Sequence, residues 1–177
     1  VKFEPTSVAG AWLVKPEPHE DPRGSFARIF CSREFEGAGL QFVVAQSNLA
    51  RSRHAGQVRG LHYVPSPEVE QKLVRCVAGA VLDVIVDMRR DSPTWLACFS
   101  TRLDPVNNHA LFIPSGVAHG YQVLEDDTDF MYLTDGFYRA GLEKGVRYDD
   151  PRLAIPWPLP PRGVTERDAT WPLIAAT

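Results

Sequence analysis

The sequence predicts an all-β domain, a sandwich or closed barrel, and two observations lead there. First, 15 prolines and 13 glycines cut 177 residues into short pieces, and the pieces between them favour strands. The runs are 10–15, 25–31, 42–50, 57–64, 72–77, 80–88, 97–103, 110–113, 118–124 and 129–134. Many short strands with regular turn signals belong to sandwiches and barrels, whereas βαβ units need helical stretches between strands. Second, the run Val81-Leu82-Asp83-Val84-Ile85-Val86-Asp87-Met88 is apolar at every even position and carries Asp83 and Asp87 at odd ones. That alternation predicts a strand with one buried face.

Helix is scarce. Residues 32–38 predict a short one, with Ser32 as its N-cap and Gly37 or Gly39 as its stop. Past residue 150 the chain is rich in proline (Pro151, Pro156, Pro158, Pro160, Pro161) around Trp157. Proline fixes φ and removes a donor, so this stretch predicts an extended segment laid over the domain. The expected organisation is a single domain over 1–177, with 150–177 as that segment.

Composition excludes several classes. Hydrophobic residues at 44% and charged residues at 23% are globular values. A net charge of −3 gives no global attraction for nucleic acid or an anionic membrane, so an anionic substrate must be held by local Arg and Lys. Cys31, Cys76 and Cys98 are odd in number and widely spaced within apolar runs. They read as free thiols rather than a disulfide framework or a zinc site. No run has the character of a membrane span or signal peptide, and the expected compartment is the cytoplasm.

Four groups of residues carry chemistry. In Arg59-Gly60-Leu61-His62-Tyr63, strand alternation puts Gly60 and His62 on one face and Arg59, Leu61 and Tyr63 on the other. Taken alone, His62 is more often a satisfied core histidine. In Pro114-Ser115-Gly116-Val117-Ala118-His119-Gly120 a tight turn launches a strand with His119 near its start. Two histidines beside glycines at strand starts suggest a shared pocket. Arg23, Arg59, Lys72 and Arg75 are candidates for gripping a diphosphate, although alternation sends Lys72 and Arg75 to opposite faces. Tyr132, Tyr138, Glu143 and Asp168 complete the set: a tyrosine can donate a proton, and an aspartate can orient an imidazole.

The second histidine run, with its short strands, resembles a cupin motif. Metal-binding cupins carry H-x-H and a following Glu, and here only His62 stands at the first position. No metal and no other cofactor is expected.

A wider resemblance covers nearly the whole chain. It runs through Asp21-Pro22-Arg23-Gly24-Ser25-Phe26, Gln46-Ser47-Asn48, Val58-Arg59-Gly60-Leu61-His62-Tyr63, Lys72-Leu73-Val74-Arg75-Cys76 and Asp83-Val84-Ile85-Val86-Asp87-Met88-Arg89. It continues through Ser92-Pro93-Thr94, Ile113-Pro114-Ser115-Gly116-Val117-Ala118-His119-Gly120, Phe137-Tyr138, Glu143-Lys144-Gly145-Val146, Asp149-Asp150-Pro151 and Trp157-Pro158. In that order these pieces resemble the dTDP-4-dehydrorhamnose 3,5-epimerase family.

The resemblance implies a cupin-type jelly roll, a homodimer, and a nucleotide-sugar substrate with a ketone at C4. His62 would be the base, Asp168 its orienting partner, Lys72 the stabiliser of the enolate oxygen and Tyr132 the acid on the opposite face. Arg23, Gln46, Asn48, Arg59 and His119 would line sugar and diphosphate. Phe26, Tyr138 and Glu143 would serve the nucleoside end, much of it completed by the partner subunit. Arg28 stands where some members carry Glu, Val64 replaces a frequent Gln, and Gln71 replaces a smaller residue. These departures leave open an epimerase acting at one carbon only or on another nucleotide sugar. From other classes come a metal-dependent cupin, opposed by the missing H-x-H, and a non-catalytic sugar-binding cupin. The joint presence of His62, Lys72, Tyr132 and Asp168 opposes the binder.

Overall fold

A computed structural model describes residues 1–175; the last two residues of the expected C-terminal segment, 176–177, lie outside the described residues. The first half of the chain forms β1 (Lys2–Pro5), β2 (Trp12–Lys15), β3 (His19–Asp21), β4 (Gly24–Phe26), α1 (Ser32–Gly37), β5 (Gln46–Ser52), β6 (Val58–Tyr63) and β7 (Lys72–Ala78). The second half forms β8 (Val81–Asp87), β9 (Cys98–Leu103), β10 (Ala110–Ile113), β11 (Val117–Val123), β12 (Thr128–Thr134), β13 (Lys144–Gly145) and α2 (Glu166–Ala169).

Two antiparallel sheets make the cupin-type jelly roll. One runs β1-β2-β10-β7-β12-β5, the other β13-β6-β11-β8-β9, and β3 and β4 form a separate hairpin. Between the sheets lies a core of Val74, Cys76, Val81, Ile85, Leu103, Leu111, Ile113, Val123 and Phe130, all almost fully buried. Beside this core, where the inward-facing residues are mostly polar, a cavity opens.

The outer faces are covered as well. Phe35 of α1 packs edge-on to Phe3 and Phe112, with Phe42 alongside, and seals part of the six-stranded sheet. On the five-stranded sheet Leu61, Val84, Val86 and Ala118 meet Val146, Leu153, Ile155 and Trp157 from the chain beyond β13. The Trp157 indole donates to the Tyr148 carbonyl, and Gln122 exchanges two hydrogen bonds with the Leu159 backbone.

That cover corrects the expectation for β8. Asp83 and Asp87 are fully buried, so the strand has two buried faces. Leu82, Val84 and Val86 meet the C-terminal chain while Val81 and Ile85 face the inter-sheet core. A buried carboxylate persists only when partnered. Asp83 is bonded to His119, and Asp87 accepts from Arg89, Ser92 and Thr94.

Three boundaries also differ. The N-cap of α1 is Cys31, with no side-chain cap bond, and Ser32 lies inside the helix. The expected strand 25–31 survives only to Phe26, and 42–50 is strand only from Gln46 onward. Helix α2 was not expected in the proline-rich segment. Thr165 caps it by accepting from the Asp168 N–H. Thr165-Glu166-Arg167-Asp168 is the [ST]-x-x-[DE] pattern of a helix start, and that signal could have located it.

Candidate active site

A cavity of about 730 Å³ opens between the sheets. All the expected site residues except Arg23, Phe26 and Arg75 line it. Gln46 and Asn48 come from β5, Lys72 from β7 and Tyr132 from β12, so one wall is the six-stranded sheet. These strands are in matched register, Tyr132 opposite Asn48 and Val74, Thr134 opposite Gln46 and Lys72. Alternate residues therefore point inward together. The facing wall carries Arg59 and His62 from β6 and His119 from β11, and Asp168 of α2 closes one side.

Arg59 and His62 share the cavity, which corrects the expectation that alternation would separate them. The β6–β11 register slips between the pair His119–His62 and the pair Tyr121–Arg59. Three steps on β6 then match two on β11, and the side-chain alternation resets. The chain passes through a cis Gly60–Leu61 peptide here, with Gly60 at φ +106°. A Cβ on Gly60 would lie 2.6 Å from the His119 carbonyl oxygen, and one on Gly120 would lie 2.6 Å from the Arg59 carbonyl oxygen. Both glycines are required by the closeness of the two backbones.

The His62 Nε2 lies 2.6 Å from Asp168 Oδ1, and the Gly60 N–H donates to Asp168 Oδ2 at 3.2 Å. Both carboxylate oxygens are thus engaged. Burial pushes the Asp168 carboxyl up, but the bonds from His62 and Gly60 outweigh it and hold it below the ordinary carboxylate value. An ionised Asp168 favours the tautomer with the proton on Nε2, in which Nδ1 carries the ring's lone pair. Glu143 Oε1 stands 3.6 Å from that Nδ1, and Glu143 Oε2 pairs with Arg167 at 2.5 Å. Arg167 lies 5.1 Å over the Trp171 ring, which also packs edge-on to His62. The Trp171 ring covers Gly145 of β13, where a Cβ would meet it at 2.4 Å. This contact seats α2, and with it Asp168, against β6.

A second pair lies deeper. His119 Nε2 is 2.7 Å from Asp83 Oδ1, and the ring stacks on Phe130. Burial raises Asp83 above the ordinary value, with the imidazole pulling the other way. Lys72 pairs with Glu70 at 2.8 Å. Arg59 donates to the Ser52 hydroxyl at 3.3 Å and the Arg51 carbonyl at 3.1 Å. The Tyr138 N–H donates to Gln46 Oε1 at 2.6 Å, fixing the cavity mouth. Among the described residues no group of three or more His, Cys, Asp or Glu converges as a metal-ligand set.

Arg23 and Phe26 stand apart from the cavity of this chain. Both lie on or beside the β3–β4 hairpin, where Arg23 is bound to Asp21 at 2.5 Å and Phe26 is 70% exposed. Arg75, sent by alternation to the other face of β7, is buried against Asn108 and takes no part. Glu70, Asp83, Arg167 and Trp171 were missed. Their neighbours in sequence were singled out, but only the fold shows which side chains turn inward.

The chain matches the family model described as dTDP-4-dehydrorhamnose 3,5-epimerase over residues 5–176. It is 42% identical over 157 residues to a dTDP-4-dehydrorhamnose 3,5-epimerase of Streptomyces griseus, covering 88% of this chain and 78% of that protein. It is 39% identical to a dTDP-4-dehydrorhamnose 3-epimerase of Streptomyces niveus, covering 99% and 84%. Among solved structures it is similar to the dTDP-4-dehydrorhamnose 3,5-epimerase of Bacillus anthracis with TDP and pyrophosphate bound, with a TM-score of 0.93 at 36% identity, covering 98% of this chain and 99% of that one. Sequence and architecture agree: the chain belongs to the dTDP-4-dehydrorhamnose 3,5-epimerase family, an isomerase family built on the cupin-type jelly roll.

Proposed function

We propose that this chain epimerises dTDP-4-dehydro-6-deoxy-D-glucose at C3 and C5, giving dTDP-4-dehydro-L-rhamnose. The observation that carries the reading is the oriented His62–Asp168 pair on one wall with Tyr132 on the facing wall. A ketone at C4 acidifies the hydrogens at C3 and C5, so a base can form an enolate without any added electron sink. His62 takes the proton through Nδ1. Lys72 meets the C4 oxygen as negative charge develops on it. Tyr132 returns a proton to the other face, which inverts the centre. Arg59 and His119 hold the diphosphate and sugar, and Gln46 and Asn48 fix the ring's orientation. Glu143, beside His62, supports the base as well as the substrate's outer end.

Arg23 and Phe26 fit this reading as residues offered to a second copy, since their hairpin is exposed and away from the chain's own cavity. The proposed state is a homodimer in the cytoplasm. No helix among the described residues is long and apolar enough to cross a membrane, and the net charge of −3 offers nothing to nucleic acid. Action at C3 alone is the second reading, favoured by the similarity to the Streptomyces niveus 3-epimerase. Incubation with dTDP-4-dehydro-6-deoxy-D-glucose in D2O decides between them. Deuterium at both C3 and C5, with dTDP-L-rhamnose formed by a coupled reductase, establishes the double epimerase. Deuterium at C3 alone establishes the single one, and no uptake refutes both.

A further inference from the structure

The ionisable side chains of the cavity are almost all paired internally. His62 is bound by Asp168, His119 by Asp83, Arg167 by Glu143 and Lys72 by Glu70. Arg59 differs, with its bonds going to a hydroxyl and a carbonyl. An arriving anion therefore meets one unneutralised guanidinium, while the ammonium assigned to the enolate oxygen is already engaged.

The Glu70–Lys72 pair is a built feature. Nζ and Oε1 are 2.8 Å apart, and the side chains are only 15% and 17% exposed. The Glu70 N–H donates to Ser115 Oγ at 3.3 Å, and the next N–H, of Gln71, donates to Asp135 Oδ1 at 2.7 Å. The turn before β11 and the end of β12 thus anchor the backbone that carries the carboxylate. Lys72 opens β7, paired with Ile113 and Thr134, and reaches the same space.

We propose that Glu70 is a positioning residue for Lys72: its carboxylate holds the ammonium in an internal pair that closes the cavity's oxyanion position to free anions and weakens it toward an enolate. The inference rests on the reading of Lys72 as the group that meets the C4 oxygen. An enolate oxygen touching Lys72 lies within a few ångströms of Glu70, where like charges repel. A neutral ketone feels little of this. The carboxylate therefore raises the barrier to the enolate more than it disturbs substrate binding, and its removal acts on kcat rather than KM.

Glu70→Gln keeps the shape and removes the charge. In the full chain it should bind inorganic phosphate about tenfold more tightly than wild type by titration calorimetry, a figure set low because the pair is partly solvated. Lys72→Met in the Glu70→Gln background should abolish the gain, and Glu70→Asp, which keeps the charge, should restore wild-type affinity. Deuterium exchange into the 4-ketosugar should quicken about tenfold in kcat with KM unchanged. Unchanged or weaker phosphate binding, a gain that survives loss of Lys72, or slower exchange would each overturn the proposal. If wild type exchanges no deuterium, the epimerase reading fails, and the phosphate titration still decides the role of Glu70.

Discussion

Replacing Asp168 by Asn alters a single polar atom, yet no orientation of the amide keeps both hydrogen bonds and the His62 tautomer together. One carboxylate oxygen meets His62 Nε2 at 2.6 Å and the other accepts from the Gly60 N–H at 3.2 Å. If the amide oxygen faces His62, the NH2 group is turned against the Gly60 donor. If the amide is flipped, its NH2 faces Nε2, which must then accept, and the imidazole proton moves to Nδ1. That nitrogen is the base in this account, so the flipped form is inactive. The unflipped form keeps the tautomer but loses the charge-assisted bond, worth about 1.5–3 kcal/mol, or roughly 10–100-fold in rate. A wrong tautomer in a comparable His–Asp pair costs about 10⁴-fold. The expected loss for Asp168→Asn is therefore between about 10-fold and about 10⁴-fold in deuterium exchange, with dTDP affinity by calorimetry near wild type. Exchange within tenfold of wild type would refute the reasoning, because it would mean that neither the charge nor the tautomer of His62 depends on Asp168.

Other perturbations test other parts. Tyr132→Phe should retain deuterium exchange with solvent while completed inversion falls by about 10²-fold; equal loss of both would place Tyr132 in the first proton transfer. Gly120→Ala should lower stability by about 3 kcal/mol in thermal or urea unfolding, because its Cβ would sit 2.6 Å from the Arg59 carbonyl oxygen; wild-type stability would show that β6 and β11 can part cheaply. Asp87 is fully buried, and although burial pushes its carboxyl up, the bonds from Arg89, Ser92 and Thr94 bring it down to about 2. A depressed carboxylate contributes stability above its unfolded value and loses it as pH falls through the folded value. Here that is about 2 kcal/mol, present above about pH 4 and gone below about pH 2. Asp87→Asn should lower the Tm near neutral pH by about 4–8 °C and flatten acid unfolding in that window; an unchanged acid limb would remove Asp87 as its source.

Much of the fold is legible because strands announce themselves locally. The runs 72–77, 110–113 and 129–134 coincide closely with β7, β10 and β12, where β-favouring residues are bounded by turn signals. Local pattern fails where distant chain decides. Asp83 and Asp87 look like the wet face of a half-buried strand, and they are dry because residues 146–157 cover β8 from outside and the second sheet covers it from inside. Arg59 and His62 look opposed, and a register slip set by a partner strand brings them together. Helix α2 hides behind five prolines, although its capping pattern lies in the open. The site shows the same division. Residue types and motif order pointed to His62, Lys72, Tyr132 and Asp168, while the pairing of Lys72 with Glu70 and of Glu143 with Arg167 depends on side-chain directions across loops.

The central claim is that His62 removes the sugar's proton. Its direct test is deuterium uptake from D2O at C3 and C5 of dTDP-4-dehydro-6-deoxy-D-glucose, comparing wild type with His62→Ala. The account predicts uptake with wild type and none with the variant, while dTDP affinity stays nearly intact because the base adds little to ground-state binding. Appreciable uptake by His62→Ala would contradict it and assign the first proton transfer to another group in the cavity.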